Sequence, residues 1–204
     1  MHPIITNSKR ILIHQLGEVY PVLIISLPLI ILIRLIAFKI NTKKGIKLNL
    51  WHEAGFLLFG LFSALIISST IIPDIIITEN GITTNAFTNM WQSNLIPGSV
   101  IWRSISASKH FDYSYFTYNL LGNIAIFVPI GFFLPLLWKK LNFPLTVLSG
   151  FLFSLFIELF QLFLPRFTDI DDIILNTTGT VIGAGLYYLL RFIAPRFTEK
   201  FKYQ

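Results

Sequence analysis

The stretch Ser154-Leu-Phe-Ile-Glu158-Leu-Phe-Gln161-Leu-Phe-Leu-Pro165-Arg166-Phe-Thr-Asp169-Ile-Asp171-Asp172-Ile-Ile-Leu-Asn176-Thr-Thr-Gly179 decides how this chain is read. It sets acids, amides and an arginine between two segments apolar enough to cross a bilayer. Ionisable groups placed so close to hydrocarbon carry an energetic penalty, so they are expected to face protein or water rather than lipid. The surrounding composition agrees. Of 204 residues, 54% are hydrophobic and 13% charged, with 20 phenylalanines, and the mean hydropathy is +0.69. Such a chain has lipid as its main solvent.

A transmembrane helix needs about 20 mostly apolar residues, since each adds about 1.5 Å against a core of about 30 Å. About five windows reach that length, at residues 19–38, 54–73, 113–138, 141–164 and 173–193. Their long apolar runs lack the two-residue alternation of a membrane β-barrel. The expected fold class is therefore all-α, an integral membrane bundle of about five transmembrane helices, with a transmembrane domain over 19–193. An N-terminal tail (1–18), a long outer loop (74–112) and a basic cytoplasmic tail (194–204) complete the expected organisation. The first window is longer than a secretory signal core and no small-x-small cleavage site follows it, so it reads as an anchor. Arg34, near its end, is expected to snorkel to the headgroups.

Orientation follows from Lys and Arg, which concentrate in cytoplasmic loops. One side would hold Lys39, Lys43, Lys44, Lys47, Lys139, Lys140, Arg191, Arg196, Lys200 and Lys202; the other would hold Lys9, Arg10, Arg103, Lys109 and Arg166. This places the C-terminus in the cytoplasm and the N-terminus outside, with the 74–112 connection and the acidic turn facing outward. In that connection, Asn80-Gly81, Asn94-Leu-Ile-Pro97-Gly98, Trp91 and Trp102 mix turn formers with interfacial aromatics, suited to short amphipathic pieces lying on the membrane. The net charge of +6 is mostly this topology signal, with attraction to anionic lipid, and nothing points to nucleic acid. With no cysteine, thiolate chemistry and disulfides are excluded. The four histidines lie far apart, which favours solvated or interfacial roles over a metal site. No cofactor is implied.

At 100° per residue the polar residues fall on defined helix faces. Ser154, Glu158 and Gln161 form one stripe within about 60°. Asp169, Asp172, Asn176 and Gly179 share a face of the last helix if it starts early enough to include the aspartates, with Thr168 or Asp169 as its cap. Asn119 and Asn123 share a face of the third, followed by Pro129 and Gly131, which can bend that helix and admit a close neighbour. Glu158 lies about 9 Å along its helix from Leu164, below the headgroups but short of the midplane. Arg166 is the nearest opposite charge, and Gln161, Asn176 and Asn123 are available to complete the hydrogen bonds. Asp171 reads as a solvated loop charge. The set Asn119, Asn123, Ser154, Glu158, Gln161, Arg166, Asp169, Asp172 and Asn176 is then either glue between helices or a polar pocket, open to the outer surface, for a headgroup or an amphiphile.

Four blocks in order carry a resemblance. Asn94-Leu-Ile-Pro97, Asn119-x-x-x-Asn123-x-x-x-Phe127-x-Pro129-x-Gly131, Ser154-x-x-x-Glu158-x-x-Gln161 and Thr168-Asp169-Ile-x-Asp172-x-x-x-Asn176-Thr177-x-Gly179 resemble the VanZ-like family of small bacterial membrane proteins, over about residues 55–190. The family takes its name from a protein that lowers susceptibility to the lipoglycopeptide teicoplanin. The resemblance implies that kind of role, with a lipid-linked cell-wall precursor or the drug as partner beside membrane lipid. Two features depart from the family pattern: the 19–38 helix precedes the matching part, and the namesake continues into a further hydrophobic segment. Two other function classes compete with surface interaction. An intramembrane enzyme would use Glu158 as general acid/base, with Asp169 or Asp172 holding water, substrate or Mg²⁺, but no G-x-S-x-G, H-E-x-x-H or cysteine nucleophile is present. A small transporter is third, because five helices without repeated halves offer little for alternating access.

Overall fold

The computed structural model describes residues 24–40, 49–71, 75–78, 81–84, 93–107, 113–163 and 168–202, with 71, 75–78, 81–84, 107 and 113–119 given by their backbone alone. Arg166 and the side chain of Asn119 therefore lie outside the described residues, as do the 1–18 tail, Asn80 and Trp91.

Helix α1 covers residues 24–40. It is followed by α2 (Leu50–Ile71), an antiparallel hairpin of β1 (Ile75–Thr78) and β2 (Gly81–Thr84), the short β3 (Ser93–Asn94) and α3 (Ser99–Ala107). Then come α4 (Tyr113–Leu137), α5 (Phe143–Leu162), β4 (Thr168–Asp169), α6 (Ile170–Ile193) and α7 (Pro195–Glu199). Among the described residues, four helical segments are long and apolar enough to cross a membrane: Leu50–Thr70, Leu120–Leu137, Phe143–Leu162 and Ile170–Ile193. The protein is an all-α membrane bundle, and its short strands lie outside these spans.

Local chemistry sets the helix ends. Asn142 caps α5, its side chain accepting the Leu145 N–H at 3.0 Å, and Pro144 occupies the first turn, where its missing N–H is harmless. Asp169 caps α6, and Arg191 in the last turn complements the negative end of the helix dipole. Because α6 begins at Ile170, its first turn includes Asp171 and Asp172.

Helices α4 and α6 pack most intimately, and glycine is the reason. A Cβ at Gly179 or Gly183 would run into the carbonyl oxygens of Ile124 and Val128, and one at Gly131 into the carbonyl of Thr180. Backbones approach this closely only where side chains are absent, the usual solution when burial from water cannot drive association within lipid. Gly150 of α5 admits the Thr180 side chain in the same way. Helix α2 closes the core, with Ile66 against Phe127, Ile130 and Ile157. Leu121, Leu152, Leu159, Leu186 and Leu189 face outward, an apolar belt suited to acyl chains.

At the end where α2 begins and α6 finishes, the chain folds back on itself. The Asn49 side chain donates to the carbonyls of Lys200 and Lys202 at 2.8 and 2.9 Å, and Trp51 packs edge-on against Phe197 and Phe201. Two expectations change here. Arg34 does not simply snorkel: it forms a two-pronged pair with Glu53, at 2.7 and 2.5 Å, over the Phe56 ring. Its guanidinium fork matches a carboxylate one helix away, so protein rather than headgroups holds it. His52 is buried rather than solvated, and its Nδ1 lies 2.8 Å from the Phe201 carbonyl.

Candidate functional site

The opposite end, where α5 hands over to α6, gathers the acidic residues. A two-residue parallel ladder sets β3 beside β4, pairing Ser93 with Thr168 and Asn94 with Asp169. The Asn94 amide donates to Asp169 Oδ1 at 2.8 Å, and that oxygen also accepts the Asp171 N–H at 3.0 Å. The Asp169 N–H in turn donates to Glu158 Oε2 at 3.0 Å. Glu158 of α5 and Asp169, the cap of α6, are thus joined through one backbone donor, and both are buried.

Asp171 overturns its sequence reading most completely. Expected as a solvated loop charge, it is 0% exposed. Its carboxylate accepts the backbone N–H groups of Gly98 at 2.5 Å, Val100 at 2.7 Å and Ile101 at 3.1 Å. Pro97-Gly98 forms a turn closed by Ser99 N–H to the Ile96 carbonyl at 3.2 Å, with Gly98 at φ 80°, the left-handed region glycine tolerates best. Glycine at that position has no side chain with which to cap α3. Asp171 supplies the cap from α6, placing a negative charge at the positive end of α3. Hydrogen bonds to a carboxylate are among the stronger ones, and these three fasten α3 to the bundle.

The remaining site residues divide. Asn123 of α4 donates to Asp172 Oδ1, and Asn176 donates to Ser154 Oγ at 2.9 Å, joining α6 to α5. Gln161 turns away from the carboxylates: its Nε2 donates to the Thr70 carbonyl of α2 at 3.0 Å. It shares the stripe of Glu158, but its amide bonds to the last turn of α2. The buried Oε1 of Gln161 and Oδ1 of Asn176 have no hydrogen-bond partner among the described residues. Among the described residues, no Lys or Arg pairs with Glu158, Asp169, Asp171 or Asp172, and no three acidic or histidine side chains converge as metal ligands. The described partners of these acids are backbone N–H groups and side-chain amides.

Sequence reasoning also missed the Asn94 side chain, whose Oδ1 accepts from Ser99 Oγ at 2.9 Å. A signal existed: a helix entered through Pro-Gly lacks its own capping oxygen, so its first N–H groups need an acceptor from elsewhere.

The segment that holds all of these residues is also the one shared with known proteins. The family described as VanZ/LLP1 matches residues 54–191. The chain belongs to the VanZ/LLP1 family. Protein VanZ of Enterococcus faecium is 35% identical over 72 residues, covering 35% of this chain and 45% of that protein. The match therefore spans less than half of that curated relative's length. No solved structure matches. Every described member of the acidic network, from Asn94 to Asn176, falls inside the VanZ/LLP1 segment.

Proposed function

We propose that this VanZ-family membrane protein lowers susceptibility to lipoglycopeptides such as teicoplanin by acting at the outer face of the cytoplasmic membrane. There it would engage a lipid-anchored cell-wall precursor or the drug itself. The observation that carries this reading is the set of buried carboxylates that ties residues 93–107 to the junction of α5 and α6. It gives one end of the bundle a buried polar network beneath the exposed segment 95–105. The Lys/Arg asymmetry supports placing that end outside, with the N-terminus outside and the C-terminus in the cytoplasm. Polar residues Asn119, Asn123, Ser154, Glu158, Gln161, Arg166, Asp169, Asp172 and Asn176 are proposed to form or support the contact with headgroup chemistry.

The test is teicoplanin susceptibility of a Gram-positive host expressing the wild type, Glu158→Ala or Glu158→Gln, with membrane protein level measured in parallel. Restored susceptibility at equal protein level supports the reading; wild-type protein that leaves susceptibility unchanged sinks it. The buried Glu158 favours one competitor, an intramembrane enzyme using this carboxyl as general acid/base on a lipid-linked substrate. That alternative requires turnover of a labelled undecaprenyl-linked substrate by the purified protein, abolished in Glu158→Gln.

A further inference from the structure

We infer that residues 95–105 form a membrane-lying element, docked on the bundle by one face and inserted by the other into the boundary between headgroups and acyl chains. The occupant of its open face is lipid. Asp171 fixes the depth. It is the second residue of the spanning helix α6, and its carboxylate holds the first turn of α3. Helix α3 therefore starts at the level where α6 enters the membrane. Phe163, just past the end of α5 and 80% exposed, carries the apolar belt of the spans to that level.

The exposed side of the element is mostly apolar. Leu95 and Ile96 are 67% and 69% exposed ahead of the Pro-Gly turn, and Trp102 and Ile105 are 70% and 46% exposed on α3. Trp102 and Ile105 lie about 60° apart on the helix, and Arg103 follows about 100° round from Trp102. Arg103 folds back onto Ser99, donating to its carbonyl and hydroxyl at 3.2 and 3.4 Å. The opposite face is closed by buried Ser104, and α3 packs on α4 and α6. A short helix with tryptophan and isoleucine outward, arginine at the flank and its polar side docked on protein matches the pattern of interfacial anchoring. In water, this face would be a liability contiguous with the lipid belt.

The absence of cysteine makes the test direct. Leu95→Cys, Trp102→Cys and Ile105→Cys, each carrying a nitroxide label, are reconstituted into phosphatidylcholine/phosphatidylglycerol vesicles. Their collision rates with oxygen and with a water-soluble nickel complex are then compared. Oxygen is expected to exceed the nickel complex several-fold at all three sites, while Arg103→Cys sits closer to parity. Nickel-dominated collisions at Leu95→Cys, Trp102→Cys and Ile105→Cys overturn the inference. Adding Asp171→Asn, or the gentler Asn94→Ala, is expected to raise nickel access at Trp102→Cys while a Leu152→Cys label on α5 stays lipid-like. Unchanged depth in both backgrounds overturns the tethering role of Asp171. The readout is independent of any drug phenotype, so its failure and that of the resistance reading are separable.

Discussion

The two ends of this bundle solve the same problem in opposite ways. Where α5 meets α6, four acids are buried or half-buried, and the described partners are backbone N–H groups and side-chain amides. Where α2 begins and α6 finishes, charge meets charge or ring: Arg34 on Glu53, Lys202 near Glu199 at 3.6 Å and over Tyr187 at 5.7 Å. A carboxylate that caps a helix organises backbone and so positions a whole segment. An ion pair fastens only two side chains. The first end is arranged to hold a loop in place, the second to close the bundle.

Substitutions can break or sharpen that contrast. The largest effect belongs to the strut both ends share. Gly183→Leu drives a side chain into the Val128 carbonyl, a loss expected to exceed about 4 kcal/mol, and size-exclusion chromatography in detergent should find almost no monodisperse protein. Next comes Asp171→Ala, which leaves three backbone donors of the α3 turn without their acceptor. A loss of about 3 kcal/mol is expected in thermal unfolding, together with faster labelling of a cysteine placed at Trp102. At the opposite end, Arg34→Met removes the two-pronged pair with Glu53 and should cost about 1–2 kcal/mol, with most of it recovered in Arg34→Met/Glu53→Gln. Smallest is Lys202→Met: Lys202 is buried over Tyr187, where methionine keeps the packing, and its acid partner Glu199 is exposed; a change within about 1 kcal/mol is expected. If Lys202→Met matched Asp171→Ala, the distinction between a capping carboxylate and a closing ion pair would fail.

Much of the architecture was legible in the chain itself. Apolar length predicts spanning helices, and the 100° periodicity puts Ser154 and Glu158 on one face and Asp172 and Asn176 on another. Asp169, one of the two candidate caps, holds the start of α6. Gly131 was expected to admit a close neighbour and meets the Thr180 backbone. What periodicity could not decide was the partner of each polar group. Gln161 shares the stripe of Glu158, yet it bonds to Thr70 in α2. Asp171 belongs to the same acidic run as Asp172, yet one is sealed against α3 and the other meets Asn123 of α4. Arg34 and His52 looked interfacial because their partners, Glu53 across a helix pair and Phe201 near the other end of the chain, are remote in the sequence pattern.

Hydrophobic length and helix periodicity are local properties, summed over neighbours three or four residues apart. The sequence by itself therefore determined that this is a helical membrane protein with a polar junction between its last two spans. Which acid becomes a cap, which amide turns to another helix, and that residues 93–107 return to that junction depend on groups brought together from far along the chain, 75 residues apart for Asn94 and Asp169 and 91 for Thr70 and Gln161. Only the tertiary structure decides those, because a buried acceptor takes whichever donor the packing of the helices leaves within reach.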